Sequence, residues 1–256
     1  MPPTTKLYWF SASHPAQAVR RMLDRKGIDY TLVGVVPGMQ RMQLRLAGFR
    51  HGTVPAVKLD GRRVQGTRRI ARALEQVRPE PPLFPADAAA RARHDEIERW
   101  GDEVLQMVPR RIMRWGTVHD PELRRWIGAQ SGVPAPGVAA RLSVIPAWYY
   151  ARVVNADVAT VRRSLEELPR TLDYVDALLA EGTLSVESPT AATFQVLCSV
   201  RSLEGFDDLR DHVARHPSAA AAQELFPDYR GAVPRFLPAE WLSGLAPAGD
   251  GQATQR

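Results

Sequence analysis

His51-Gly52-Thr53-Val54-Pro55-Ala56-Val57-Lys58-Leu59-Asp60-Gly61 places a proline inside an apolar, strand-like run that closes on an Asp-Gly pair. Proline has no amide hydrogen to give a central strand. The run is therefore consistent with a strand that begins at Pro55, or with a cis Val54–Pro55 bond, which X-Pro tolerates at low cost. Asp60-Gly61 reads as a turn, and Arg62-Arg63-Val64 as the short returning strand. Ile70, Ala73, Leu74 and Val77 then recur at helical spacing. Upstream, residues 6–10 read as an aromatic strand. Ala16, Val19, Met22 and Leu23 mark a helix over about 15–26, stopped by Gly27. Residues 30–36 form a second β-branched run, broken by Pro37-Gly38. The expected order is β-α-β-β-α, with the first two strands parallel across a helical crossover.

Residues 78–87 hold four prolines and read as a semi-rigid linker. Beyond it the chain is expected to be helical. Ile97, Trp100, Val104, Leu105 and Val108 mark one face of a first long helix ending at Pro109. A second helix is expected around 124–126, followed by a loop over 128–137. Val158, Val161, Leu165, Leu168, Leu172, Val175, Leu178 and Leu179 form a long stripe, with Pro169 predicting a break. A further helix is expected over about 190–203, and 247–256 reads as a disordered tail. No internal repeat is present.

The 256 residues suffice for one large or two small domains. No apolar run is long enough to span a bilayer, and the first six residues carry no hydrophobic signal core. Cys198 stands alone, which excludes an internal disulfide framework and makes a reducing cytoplasm the expected location. The net charge of +6 is uneven: residues 1–87 carry 15 Lys+Arg against 6 Asp+Glu, and the rest carries 19 against 22. The basic half suits a solvated surface or a small anion. The arginines are scattered and no nucleic-acid motif accompanies them, so nucleic acid is not an expected partner. The histidines show no metal-ligand spacing, and no metal is expected.

The Val54-Pro55 strand with its Asp60-Gly61 turn, the proline-rich linker and the helical remainder resemble the glutathione S-transferase family, over about residues 6–237. The resemblance implies an α/β thioredoxin-like N-terminal domain followed by an all-α C-terminal domain. It sets a thiol-binding domain at 1–80, a linker at 81–87 and a helical substrate domain at 88–246. It also implies glutathione or another low-molecular-weight thiol as co-substrate, a hydrophobic electrophile as its acceptor, and a homodimer.

Laid on the serine-type pattern of that family, Leu7-Tyr8 and Val19-Arg20 bring Ser13 to the thiol-activating position, with Ser11 as its backup. A hydroxyl donated to sulfur near a helix N-terminus favours the thiolate, the true nucleophile. Helix capping is the alternative role for Ser13. His14 reads as a partly exposed loop residue, and Cys198 as core. The resemblance assigns the backbone of Val54, before Pro55, to pairing with the thiol peptide, and puts His51 near the peptide's glycyl end. The γ-glutamyl position, an acid or Gln followed by Ser in the family, falls on Gly66 and Thr67. Thr67 is able to cap the helix and meet a carboxylate. Gly66 offers no acid to the ligand's ammonium, with Gln65 one place early as a substitute. Gly66→Glu would restore the contact if the backbone there is ordinary. The family's capping box in the buried helix is expected to be lost, because Thr193 replaces its acid. Trp100, Trp115, Trp126, Trp148, Tyr149 and Tyr150 are candidates for an electrophile pocket or for core. Two functions fit: thiol conjugation to, or thiol-dependent transformation of, a hydrophobic electrophile; alternatively, a non-catalytic binding or assembly protein on the same fold.

Overall fold

The computed structural model describes residues 5–36, 38–130, 135–229 and 231–245; the tail expected over 247–256 lies outside the described residues. The first half runs β1 (Thr5–Trp9), α1 (His14–Arg25), β2 (Tyr30–Gly34), α2 (Gln40–Leu46), β3 (Ala56–Leu59), β4 (Arg62–Gln65) and α3 (Thr67–Val77). The sheet order is β2-β1-β3-β4, with β1 and β2 parallel and β3 antiparallel to both its neighbours. Asp60 and Gly61 both have positive φ, 47° and 85°, as a two-residue hairpin of the right twist requires. The Val54–Pro55 bond is cis, and β3 starts one residue after it. Pro55 therefore owes the ladder no hydrogen.

Leu7, paired with Leu32 and Val57, is fully buried under α1 and α3. The opposite face holds a smaller cluster of Val35, Leu44, Phe49 and Ala56. Leu44 comes from α2, a helix absent from the expected β-α-β-β-α order. The reason is local. Among its residues only Leu44 is buried, while Met42 and Leu46 are exposed, so the segment shows no apolar stripe of helical period.

The second half contains α4 (Ala88–Trp100), a π-turn (Gly101–Leu105), α5 (Met107–His119), α6 (Pro121–Gln130), α7 (Pro136–Leu142), α8 (Val144–Val153), α9 (Val158–Glu166), α10 (Leu168–Ala180), α11 (Ala191–Glu204), α12 (Arg210–Val213) and α13 (Pro217–Leu225). The first rod does not end at Pro109. It passes through the π-turn and continues to His119, with Pro109 in the opening turn of α5, where a missing donor costs least. The extra residue of the π-turn also rotates Val104 off the buried face, leaving it 43% exposed. The loop expected over 128–137 is shorter than that, because α6 reaches Gln130 and α7 starts at Pro136. The break expected at Pro169 falls between α9 and α10, with the proline in the first turn of α10.

α11 is buried on all sides and packs on α1, α4 and α13. Its capping box is intact, contrary to expectation. Thr193 replaces the missing acid: its hydroxyl accepts the Thr190 amide, and the Thr190 hydroxyl accepts the Thr193 amide, each at 3.3 Å. From α4, His94 Nε2 accepts the Ala192 amide at 3.1 Å. Thr193→Val is expected to lower stability by about 1 kcal/mol, as loss of a cap does, measured by denaturant unfolding.

Segment 78–87 has no regular structure, yet it is pinned on both sides. The buried Lys26 ammonium donates to Glu75 and to the Pro79 carbonyl. Leu83 and Phe84 enter the main core, and the Leu83 carbonyl accepts the Ala191 amide at 2.8 Å. None of the helices in the described residues is long and apolar enough to cross a membrane.

Candidate thiol site

Sheet register gathers the candidate residues. Tyr8, near the end of β1, pairs with Ala56, the first residue of β3, and Ala56 pairs with Gln65, the last of β4. The loop leading to α1, the Val54-Pro55 turn and the start of α3 therefore share one end of the sheet. The Gly66 amide donates to the Pro55 carbonyl at 3.1 Å and joins two of these segments directly.

Ser13 precedes α1 with extended backbone (φ −82°, ψ 98°) and is 6% exposed, but its hydroxyl makes no capping bond. The capping alternative thus describes its backbone position and leaves its hydroxyl unspent. Its loop is held by donors from all sides. The Phe10 carbonyl accepts the Ser13 amide, the Ser11 carbonyl accepts Gln17 Nε2 at 2.8 Å, and the Ala12 carbonyl accepts the Tyr229 hydroxyl at 3.1 Å. Cys198 Sγ, at 2.9 Å, donates to the His14 carbonyl. Burial raises the Cys198 thiol well above its ordinary range, so it stays protonated and serves as a donor in the core. The clamps by Tyr229 and Cys198 span about two hundred positions of sequence, and no local pattern announces them.

His14 is not the exposed loop residue expected. It opens α1, is 8% exposed, and burial together with Arg110 holds its imidazole down at about 3. It is neutral at pH 7 and offers no cation to a thiolate.

The Val54 amide and carbonyl have no hydrogen-bond partner among the described residues, which leaves an edge able to pair with an extended peptide. Gln65 is fully engaged elsewhere. Its Oε1 accepts the His51 amide at 2.9 Å, and its Nε2 donates to the carbonyls of His51 (2.7 Å) and Thr53 (3.3 Å). It braces the loop before Val54. The exposed His51 lines a shallow cleft of about 290 Å³ together with Arg50, Arg63 and Arg69.

Gly66, not Thr67, is the capping position of α3. Thr67 is the first helical residue, 5% exposed, and its hydroxyl is unpaired among the described residues. Gly66 has φ 88° and ψ 138°, a conformation side chains resist, although a Cβ there would meet nothing within 4 Å. The condition for Gly66→Glu is not met. Gly66→Ala and Gly66→Glu are both expected to cost about 1–2 kcal/mol of stability, read by denaturant titration.

A polar stripe that no motif marks runs along the second half. Asp102, Gln106, Arg110 and Arg114 recur at steps of four along the π-turn and α5. Gln106 Nε2 donates to Asp102 at 3.3 Å. Burial raises the Asp102 carboxyl against the fields of Arg68 and Arg110, which places this stripe beside the start of α3. The four-residue recurrence of polar side chains inside an otherwise apolar helix was the signal. Of the six aromatic candidates, Tyr150 lines a cleft, of about 520 Å³, with Gly38, Arg41, Met42, Arg45 and Leu46. Trp115 is core, packed on Phe236 and Trp241; Trp100 packs on Tyr174; Trp148 and Tyr149 are about half exposed.

Residues 7–82 match the family described as glutathione S-transferase, N-terminal domain. These residues form a glutathione S-transferase-like N-terminal domain. Solved structures carry the likeness through the helical half of the chain. A glutathione S-transferase-like protein from Pseudomonas syringae is 17% identical with a TM-score of 0.61, covering 93% of this chain and 71% of its own. A glutathione S-transferase from Methylobacillus flagellatus with glutathione bound is 20% identical at TM-score 0.55, over 90% of this chain and 100% of its own. A beta-etherase from Sphingobium is 22% identical at TM-score 0.58, over 90% and 97%. At these identities the likeness is one of fold. No curated protein sequence matches the chain.

Proposed function

We propose that this chain binds glutathione, or a similar small thiol, at the end of the sheet and transfers its sulfur to an electrophile. One observation carries the reading: three groups unspent among the described residues meet there, the Ser13 hydroxyl, the Val54 amide and carbonyl, and the open N-terminus of α3 with the Thr67 hydroxyl. The Val54 backbone pairs with the cysteinyl residue of the peptide. Thr67 and the free amides at the start of α3 take a carboxylate, as helix N-termini do. The Ser13 hydroxyl donates to the sulfur and favours the thiolate. The thiolate then attacks the electrophilic carbon; the bond to the leaving group breaks, the leaving group departs with the electron pair, and the thiol proton goes to solvent. Similar structures with glutathione or glutathione sulfonate bound support glutathione as the thiol.

Gly66 and the engaged Gln65 leave the ligand's ammonium without an acid. Affinity is therefore expected in the millimolar range, about −4 kcal/mol. Calorimetry tests both points: heat of binding that saturates at millimolar glutathione supports the reading, and no heat at tens of millimolar sinks it. Micromolar binding would mean that another group already holds the ammonium. The missing acid also favours a second reading, a non-catalytic binding protein on this fold, which saturable binding without turnover of any electrophile would support.

The division into residues 1–80, a linker at 81–87 and 88–246 is kept as part of this proposal, as are a cytoplasmic location and a homodimer. The basic first half and the mildly acidic second half suit pairing about a two-fold axis. Sedimentation at micromolar concentration and physiological salt is expected to give the dimer; monomer alone refutes it.

A further inference from the structure

Arg110 and Arg114 lie one helical turn apart on α5, and neither has a carboxylate within 4 Å among the described residues. Both keep partial contact with solvent. Burial nonetheless depresses both guanidinium groups. Arg110 donates only weakly, to the Met107 sulfur at 3.6 Å. Arg110 acts on His14, the neighbour of Ser13. Arg114 lies over the Tyr150 ring at 5.1 Å, and Tyr150 belongs to the cleft that Arg41 and Arg45 also line. Positive charge thus runs from the Ser13 loop to the Tyr150 cleft. Among the described residues, Asp102 is the carboxylate acting on Arg110, and it is shared with Arg68.

Half-buried cations with no carboxylate in contact are costly unless a ligand supplies the anion. Guanidinium groups also match a carboxylate with paired, charge-assisted hydrogen bonds. We propose that this strip recognises the acceptor: the electrophile carries a carboxylate held by Arg110 and Arg114, with its apolar body against Tyr150. This deepens the thiol-transfer reading and rests on it for the reaction, though not for the binding.

The test uses probes of similar shape that carry a charge or lack it, with each turnover rate divided by the uncatalysed rate of the same probe with glutathione. Dinitrobenzoate and dinitrobenzamide, which lack a leaving group, report binding by calorimetry. A chlorodinitrobenzoate and its carboxamide report turnover with glutathione: sulfur bonds to the ring carbon, the carbon–chlorine bond breaks, and chloride leaves with the electron pair. The full chain is expected to bind the benzoate at least about tenfold more tightly than the amide, the size of one charge-assisted bond. The same preference is expected in kcat/KM. Arg110→Gln and Arg114→Gln should each reduce it, Arg114→Lys should retain part of it, and glutathione affinity should not change. Equal binding of the two probes by the unaltered chain overturns the proposal, whether or not the variants fold. So does a preference that survives both glutamine variants. Loss of glutathione affinity in step with benzoate affinity also overturns it, because the arginines would then serve the thiol peptide. If benzoate is preferred while glutathione does not bind at all, the anion site stands and the thiol-transfer reading falls.

Discussion

Replacing Ser13 by alanine is expected to lower kcat about a hundredfold, the usual loss when one preorganised donor to a developing anion is removed. The expectation follows from the loop. Its carbonyls are held by Gln17, Tyr229 and Cys198, so the hydroxyl is held in place before the thiol arrives. The hydroxyl makes no capping bond, so its removal takes nothing from α1 and stability should change little. KM for the electrophile should change less than kcat, because the donor acts on sulfur. The pH–rate profile should move to higher pH, since the bound thiol then ionises with less help. Ser13→Thr should recover part of the loss. Steady-state kinetics across pH measures all of this. Unchanged turnover in Ser13→Ala would transfer the role to Ser11 or show that the thiol reacts unaided.

The second large effect is on stability in acid. Burial holds the imidazoles of His14 and His94 down, to about 3 and about 4 in the folded chain. An unfolded histidine titrates near 6.5, so below that pH the unfolded chain binds more protons and stability falls as pH falls. At pH 4 each histidine is expected to cost about 3 kcal/mol relative to pH 7. His94 adds a structural reason, since its Nε2 must be unprotonated to accept the Ala192 amide. Burial raises the carboxyls of Glu98 and Asp102, which act in the opposite direction by binding protons in the folded state. The contribution of His94 is therefore read from a variant. His94→Gln retains an acceptor for Ala192 and cannot titrate. Its loss of stability between pH 7 and pH 4 should be smaller than that of the unaltered chain by about 2–3 kcal/mol, measured by urea unfolding at each pH. Equal losses would mean that His94 protonates in the folded chain without penalty.

Local chemistry made much of the first half readable. Asp60-Gly61 demands a hairpin, Val54-Pro55 excludes a central strand position, and Gly27 takes the positive φ (57°) that ends α1. α2 escaped because its one buried residue, Leu44, gives no period. The π-turn escaped because one inserted residue changes helical phase without changing composition, and Val104 was misplaced with it. The candidate thiol residues follow from motif positions, but what makes their groups available does not. Gly66 has a positive φ, while Gln65 is spent on the His51 loop and the carbonyls beside Ser13 are braced by Tyr229 and Cys198, both through contacts between segments distant in sequence. The Arg110 and Arg114 strip also needs three dimensions, since Arg114 meets Tyr150 across the packing of α5 on α8.

The most direct test is a crystal structure of the chain grown with saturating glutathione. The cysteinyl amide and carbonyl should pair with those of Val54, the sulfur should lie within hydrogen-bond distance of the Ser13 hydroxyl, and a carboxylate should sit on Thr67 and the first amides of α3. Glutathione bound elsewhere, or with its sulfur away from Ser13 and its backbone unpaired to Val54, would contradict the account.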